Sequence, residues 1–208
     1  MKILILTQYF WPQNYRINLV AEELLKKKFN LIILTSSTNK KDKKRFSNAK
    51  IYRVKTYQIR KFKLIETILN YITFYINACI FIIFNSKKLK VDKVLIFQPS
   101  PIFIGLLGLL IKKMTKTKIY LWILDLWPDT VFDYKFIKEK SLFGKLLSFI
   151  TYTIYNNCEK IFIHSEPFRK QVRKYTNAKC IYLPSPAEDI FERNKNYNFD
   201  NKKINILF

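Results

Sequence analysis

The apolar residues of this chain come in short solid runs. Residues 2–7 (KILILT), 30–35 (NLIILT), 51–54, 93–97 (KVLIF), 118–124, 160–163 and 180–183 are dominated by Ile, Leu, Val or aromatic residues. Runs this short, β-branched and without polar alternation predict strands covered on both faces. Between them the spacing changes. Residues 14–29 place Ile17, Val20, Ala21, Leu24 and Leu25 on one helical face and close on Lys26, Lys27 and Lys28, where cations suit a helix C-terminus. Residues 102–114, 142–156 and 166–175 read as further helices, and the polar, basic stretch 36–50 as a loop. Strand and helix alternate almost throughout, which predicts an α/β class protein: a doubly wound parallel sheet with helices on both sides.

Residues 64–84 (LIETILNYITFYINACIFIIF) break the pattern by their length, with Glu66 as the one charge. A bilayer-spanning helix needs about 20 mostly apolar residues. Yet Thr67, Asn70, Thr73 and Asn77 recur on one helical face with Glu66, and basic residues flank both ends. Three readings stand: a span, a buried core helix, and a helix packed on the sheet with its outer face at a lipid interface. A span would put the early and late strands on opposite sides of the membrane.

Charge sharpens the third reading. The 208 residues carry 38 Lys and Arg against 15 Asp and Glu, a net charge of +23. Such an excess suits a polyanionic partner, either nucleic acid or an anionic membrane surface. The abundance of Lys, Asn, Ile, Phe and Tyr, which AT-rich codons encode, is a competing source of the same charge. Nucleic acid is disfavoured because the aromatics sit inside apolar runs and no recognised binding motif is present. Three widely spaced cysteines and one histidine argue against a zinc site. Without a signal-peptide pattern, they fit a reducing cytosol. Dinucleotide-binding, phosphate-loop, nucleophile-elbow and zinc-protease motifs are missing.

Ligands of open parallel sheets bind beyond the carboxyl ends of the strands. Four such ends gather the polar residues other than lysine: QYFWPQNYRIN with Tyr9, Asn14 and Arg16; QPSP with Ser100; DLWPD with Asp125, Trp127 and Asp129; HSEPF with His164, Ser165 and Glu166. Each has an ordinary reading beside the functional one. Asp125 closes a buried strand, either as a reactive carboxylate or as an acceptor for loop amides. Pro128 and Asp129 suit the first turn of a helix. Arg16 would meet a phosphate or sugar carboxylate, or else a surface acid. His164 is a base, a hydroxyl partner or a satisfied core histidine, and Glu166 a ligand or a helix cap. Trp11 and Trp127 suit stacking on a sugar ring, whereas Trp122 lies within a strand and suits the core.

Four segments, MKILILTQYFWPQNYRIN, LDLWPDTV, IFIHSEPF and YLPSPAEDIF, follow in order across the chain. Together they resemble the N-terminal domain of bacterial family 4 glycosyltransferases, in particular the WbuB-type L-fucosamine transferases of O-antigen and capsule synthesis. The resemblance implies a GT-B fold of two Rossmann-like halves, of which this chain is the N-terminal, acceptor-binding one. It implies a retaining, metal-independent transferase without cofactor, acting at the inner face of the cytoplasmic membrane on a saccharide linked to polyprenyl diphosphate. The nucleotide-sugar donor would be held mainly by a C-terminal domain. Residue by residue, the resemblance makes Asp125 the catalytic acceptor-side group. Tyr9, Asn14, Arg16, Ser100, Trp127, Asp129, His164, Ser165 and Glu166 become acceptor or substrate contacts. Two departures bear on it: Ser185 stands where the family often has Asn, and STNKKDKKRFSN replaces a loop usually rich in Gly and Pro.

The expected organisation is an acceptor domain over 1–188, with a linker and the first strand of a donor domain over 189–208. On that reading this length alone binds acceptor and transfers nothing. The alternative is a non-enzymatic, membrane-associated scaffold, or the relic of a split or truncated transferase.

Overall fold

The computed structural model describes residues 1–38, 45–61 and 64–186. Seven strands, β1 (Lys2–Leu6), β2 (Asn30–Ser36), β3 (Lys50–Val54), β4 (Lys93–Gln98), β5 (Lys118–Ile123), β6 (Lys160–Ile163) and β7 (Lys179–Tyr182), form one sheet in the order β3-β2-β1-β4-β5-β6-β7. Every pairing is parallel. The predicted α/β, doubly wound, Rossmann-like class is what the chain adopts. The expected linker and strand at 189–208 lie outside the described residues.

The helices are α1 (Ile17–Lys26), α2 (Leu64–Asn85), α3 (Ile104–Thr115), α4 (Asp129–Asp133), α5 (Leu142–Asn156) and α6 (Phe168–Val172), with a 3-10 turn at Ser86–Leu89. Ser141 caps α5 by accepting from the Gly144 amide at 3.1 Å. Pro128 precedes the first residue of α4, as its fixed φ favours. The helix predicted over 166–175 is only five residues long, with turns on both sides.

The two faces of the sheet are covered unequally. On one, Leu4, Leu6, Val94, Ile96, Leu121 and Ile161 meet residues of α2, α3, α5 and α6 in the larger core. Glycines let α3 sit close: a Cβ at Gly108 would lie 2.2 Å from the Ile96 side chain, and one at Gly105 2.5 Å from Ile154. On the other face, Ile3, Ile5, Leu31 and Ile33 meet Ile17 and Ala21 of α1, with Phe10 and Phe46.

Helix α2 is the crossover from β3 to β4. By length and composition it could cross a membrane, but Phe74, Ala78 and Ile82 are fully buried in the larger core. The spanning reading is therefore wrong, because the sheet is continuous on both sides of α2 in sequence. The fully buried reading fails too, because Leu64, Ile65, Ile68, Ile72, Ile76, Ile80, Ile83 and Phe84 are exposed. The polar face turns inward instead. The Glu66 carboxylate accepts from the Arg60 and Lys61 amides at 3.0 and 2.8 Å. Asn70 donates to the Tyr57 carbonyl, Thr73 accepts from the Tyr57 amide, and Asn77 donates to the Lys55 carbonyl. These side chains satisfy the backbone of the segment after β3, which has no ladder partner among the described residues.

Candidate functional site

The chain leaves β1 toward β2 on one side, and β4 lies on the other, so a crevice opens between the carboxyl ends of β1 and β4. Gln8 and Gln98, both buried, stand at these two ends. The Gln8 carbonyl accepts from the Thr35 and Ser36 hydroxyls, and its amide donates to Asn70 Oδ1 at 2.7 Å. Gln98 donates weakly to the Asp125 carbonyl at 3.5 Å, while its own Oε1 is buried without a partner among the described residues.

The first loop is folded back on α1 by Asn18, which accepts from the Trp11 amide at 3.1 Å and donates to the Gln13 carbonyl at 2.7 Å. Arg53 ties the same loop to β2, donating to the Trp11 and Ser36 carbonyls. Tyr9 stacks on Tyr15 with centroids 5.0 Å apart. Burial pushes the Tyr9 phenol well above its usual range, and the neighbouring Tyr71 of α2, its hydrogen-bond partner, adds to the shift. Asn14 and Arg16 are exposed at the far end of the loop. The indole of Trp11 lies under the Arg45 guanidinium, 4.5 Å from the ring centroid, so one face is already occupied.

The segments that follow β4 and β5 meet at Asp125. Its Oδ1 accepts from Thr130 Oγ1 at 2.7 Å and its Oδ2 from Trp127 Nε1 at 3.0 Å. The same indole N–H also reaches Ser100 Oγ at 3.2 Å. Trp127 packs on Phe103, which packs edge-on against Tyr75 of α2. The Tyr75 hydroxyl is buried without a partner among the described residues, and burial pushes its phenol well up. An ionised carboxylate offers about four acceptor positions. Two side-chain donors orient Asp125 and leave acceptor capacity for a third group, such as a sugar hydroxyl.

The other predicted residues are placed less centrally. Asp129 turns away to Lys174, with Oδ1 2.7 Å from Nζ. His164 sets Nδ1 3.4 Å from the Ile123 carbonyl, and its ring stands edge-on to Phe168. Ser165 accepts from the Phe168 amide through its carbonyl. Glu166 grips Arg169 with both oxygens at 2.9 Å, and Arg169 in turn donates to the Cys180 carbonyl. Ser100, Asp125 and Trp127 are thus brought into one network, whereas Asp129 and Glu166 hold helix α6 and its surroundings. Trp122 is fully buried against Phe97. Thr130, Tyr71, Tyr75 and Gln98 escaped the sequence reading. The i, i+4 spacing of Tyr71 and Tyr75 was the available signal for that pair. Among the described residues no group of three His, Cys, Asp or Glu is placed to hold a metal ion.

No family model and no curated protein matches this sequence. Solved structures do match it in shape. The chain is similar to Anabaena HepE in complex with UDP and glucose, at 8% identity and TM-score 0.55, over 90% of this chain and 45% of that one. It is similar to Acinetobacter baumannii MurG at 11% identity and TM-score 0.52, over 90% and 46%. A third is Phytolacca americana UGT2 with UDP-2-fluoro-glucose and pterostilbene, at 13% identity and TM-score 0.55, over 89% and 52%. The shared element is one half of the GT-B glycosyltransferase fold, and the chain spans about half the length of these structures.

Proposed function

We propose that this chain is the acceptor-binding half of a retaining, metal-independent sugar transferase of the family 4 type. The observation that carries the reading is the Asp125 carboxylate, aimed by Trp127 and Thr130 at the carboxyl edge of the sheet. Asp125 accepts a hydrogen bond from the attacking acceptor hydroxyl and holds its oxygen toward a donor sugar. Tyr9, kept protonated, is a further donor at the same edge. The HepE structure holds UDP and glucose; by analogy a nucleotide sugar is the donor here, bound mainly by a second half. Alone, the chain binds acceptor without turnover.

The acceptor is a saccharide on polyprenyl diphosphate, of the kind used in O-antigen or capsule synthesis, with L-fucosamine as the transferred sugar. The chain works from the inner face of the cytoplasmic membrane. Support comes from the outward apolar face of α2, where Leu64 is 77% and Phe84 81% exposed, and from Leu142, Phe143 and Phe149 of α5. Lys87, Lys88, Lys138, Lys140 and Lys145 accompany these side chains and suit an anionic surface.

The test is binding of a prenyl-diphosphate-linked acetamido sugar in vesicles, compared between the native chain and Asp125→Asn. Loss of the charged acceptor should weaken saccharide-dependent binding about ten-fold, equivalent to roughly 1.4 kcal/mol. Equal affinity for the saccharide in both proteins would remove Asp125 from the site. Binding to vesicles with no dependence on the saccharide would favour the non-enzymatic scaffold, which the exposed α2 face equally serves.

A further inference from the structure

Parallel sheets are normally covered on both faces. Here α1 covers the second face only over β1 and β2, while the helices that follow β4, β5 and β6 all pack on the first. Among the described residues no helix lies over the second face from β5 to β7; Phe97 and Trp122, toward the carboxyl ends of β4 and β5, are buried there, while Leu95, Tyr120, Phe162 and Ile181 are only half-buried. Leu95, Tyr120, Phe162 and Ile181, followed by Leu183 just past β7, floor an open groove of about 340 Å³. Four strands about 4.8 Å apart give a floor about 15 Å across, the length of a ten-residue helix.

The groove has a charged margin written into the strand register. Lys93, Lys118, Lys160 and Lys179 are the first residues of β4 to β7. Each lies two positions before Leu95, Tyr120, Phe162 or Ile181 in the same strand, so each points to the same face. Lys93 and Lys160 line the groove itself, and among the described residues no acidic side chain does. Lys118 is answered by Glu159 at 3.0 Å, and Lys93 lies over the Tyr120 ring at 5.6 Å.

We infer that this groove seats an amphipathic helix of a partner polypeptide, apolar toward the strands and acidic along the side that meets Lys93 and Lys160. A second copy is a poor occupant, because it would bring the same lysine row and a net charge of +23 to the contact. A bilayer is a poor occupant, because the exposed side chains of α2 and α5 lie on the opposite face of the sheet. The inference does not depend on the sugar-transferase reading.

The test uses the full chain and two synthetic helical peptides of about 18 residues. Both carry one leucine stripe; one has glutamates along a single margin and the other lysines. Fluorescence anisotropy should show the glutamate peptide binding about ten-fold or more tightly than the lysine peptide. Leu183→Glu should abolish the tighter binding, and the surface variant Lys160→Glu, which leaves the core intact, should narrow the preference between the peptides. Equal binding of the two peptides, or binding of neither, overturns the inference. So does a concentration-dependent dimer, or vesicle adsorption, that Leu183→Glu removes.

Discussion

Asp125 receives hydrogen bonds from Thr130 and Trp127, both to an ionised acceptor, which makes them stronger than neutral pairs. Thr130→Val should cost about 1.5–3 kcal/mol in urea unfolding, because the carboxylate then lacks one donor in a partly buried place. Asp125→Asn should shift the Trp127 fluorescence while leaving far-UV circular dichroism unchanged. The tyrosines give a second residue-level prediction. Burial raises the phenols of Tyr9, Tyr75 and Tyr155, so they stay protonated through about pH 10, where free tyrosine ionises. A group raised in the fold stabilises it below the unfolded value, and that stability drains away as pH climbs beyond it. Tyrosinate absorbance should therefore lag in the native protein and complete only on unfolding; full titration near pH 10 in a native fold would contradict the burial. Asp125 was legible in the sequence, as a carboxylate closing an apolar strand. Thr130 was not singled out, and the partner of Asp129 is Lys174, 45 positions away, a separation no local pattern encodes.

Helix α2 shows what an element can hide. Its polar positions were legible as one face, but the direction of that face was not, since periodicity fixes faces and leaves open which one meets the core. The backbone of the segment after β3 decides it, by demanding partners that Glu66, Asn70, Thr73 and Asn77 supply. Replacing Ile72, Ile76 and Ile80 together by Ser should leave unfolding free energy within about 0.5 kcal/mol for each exposed site. The same variant should float with anionic vesicles markedly less than the native chain. Asn70→Leu should do the reverse, destabilising the fold by about 1–3 kcal/mol by stranding Gln8 and the Tyr57 carbonyl. The short helices α4 and α6 were hard to read because five residues give no periodicity to count.

At the scale of the whole molecule, the alternation of solid apolar runs and amphipathic stretches is enough to predict a parallel α/β sheet. Strand order and unequal coverage of the two faces were not legible, since both depend on which crossover goes to which side. The net charge acts at this scale as well. Adsorption to anionic vesicles should fall steeply as salt rises from about 0.05 to 0.3 M, because screening shortens to less than 10 Å. Salt-insensitive adsorption would assign the contact to apolar side chains alone. The seam beneath α2 has one more consequence. Apolar surfaces lose their reason to adhere when water is replaced by hydrocarbon, whereas hydrogen bonds strengthen as the surrounding dielectric falls. Were the outer face of α2 to meet lipid, its carboxylate, amide and hydroxyl contacts to Gln8 and to the segment after β3 would hold it in place beside the apolar packing of Phe74, Ala78 and Ile82.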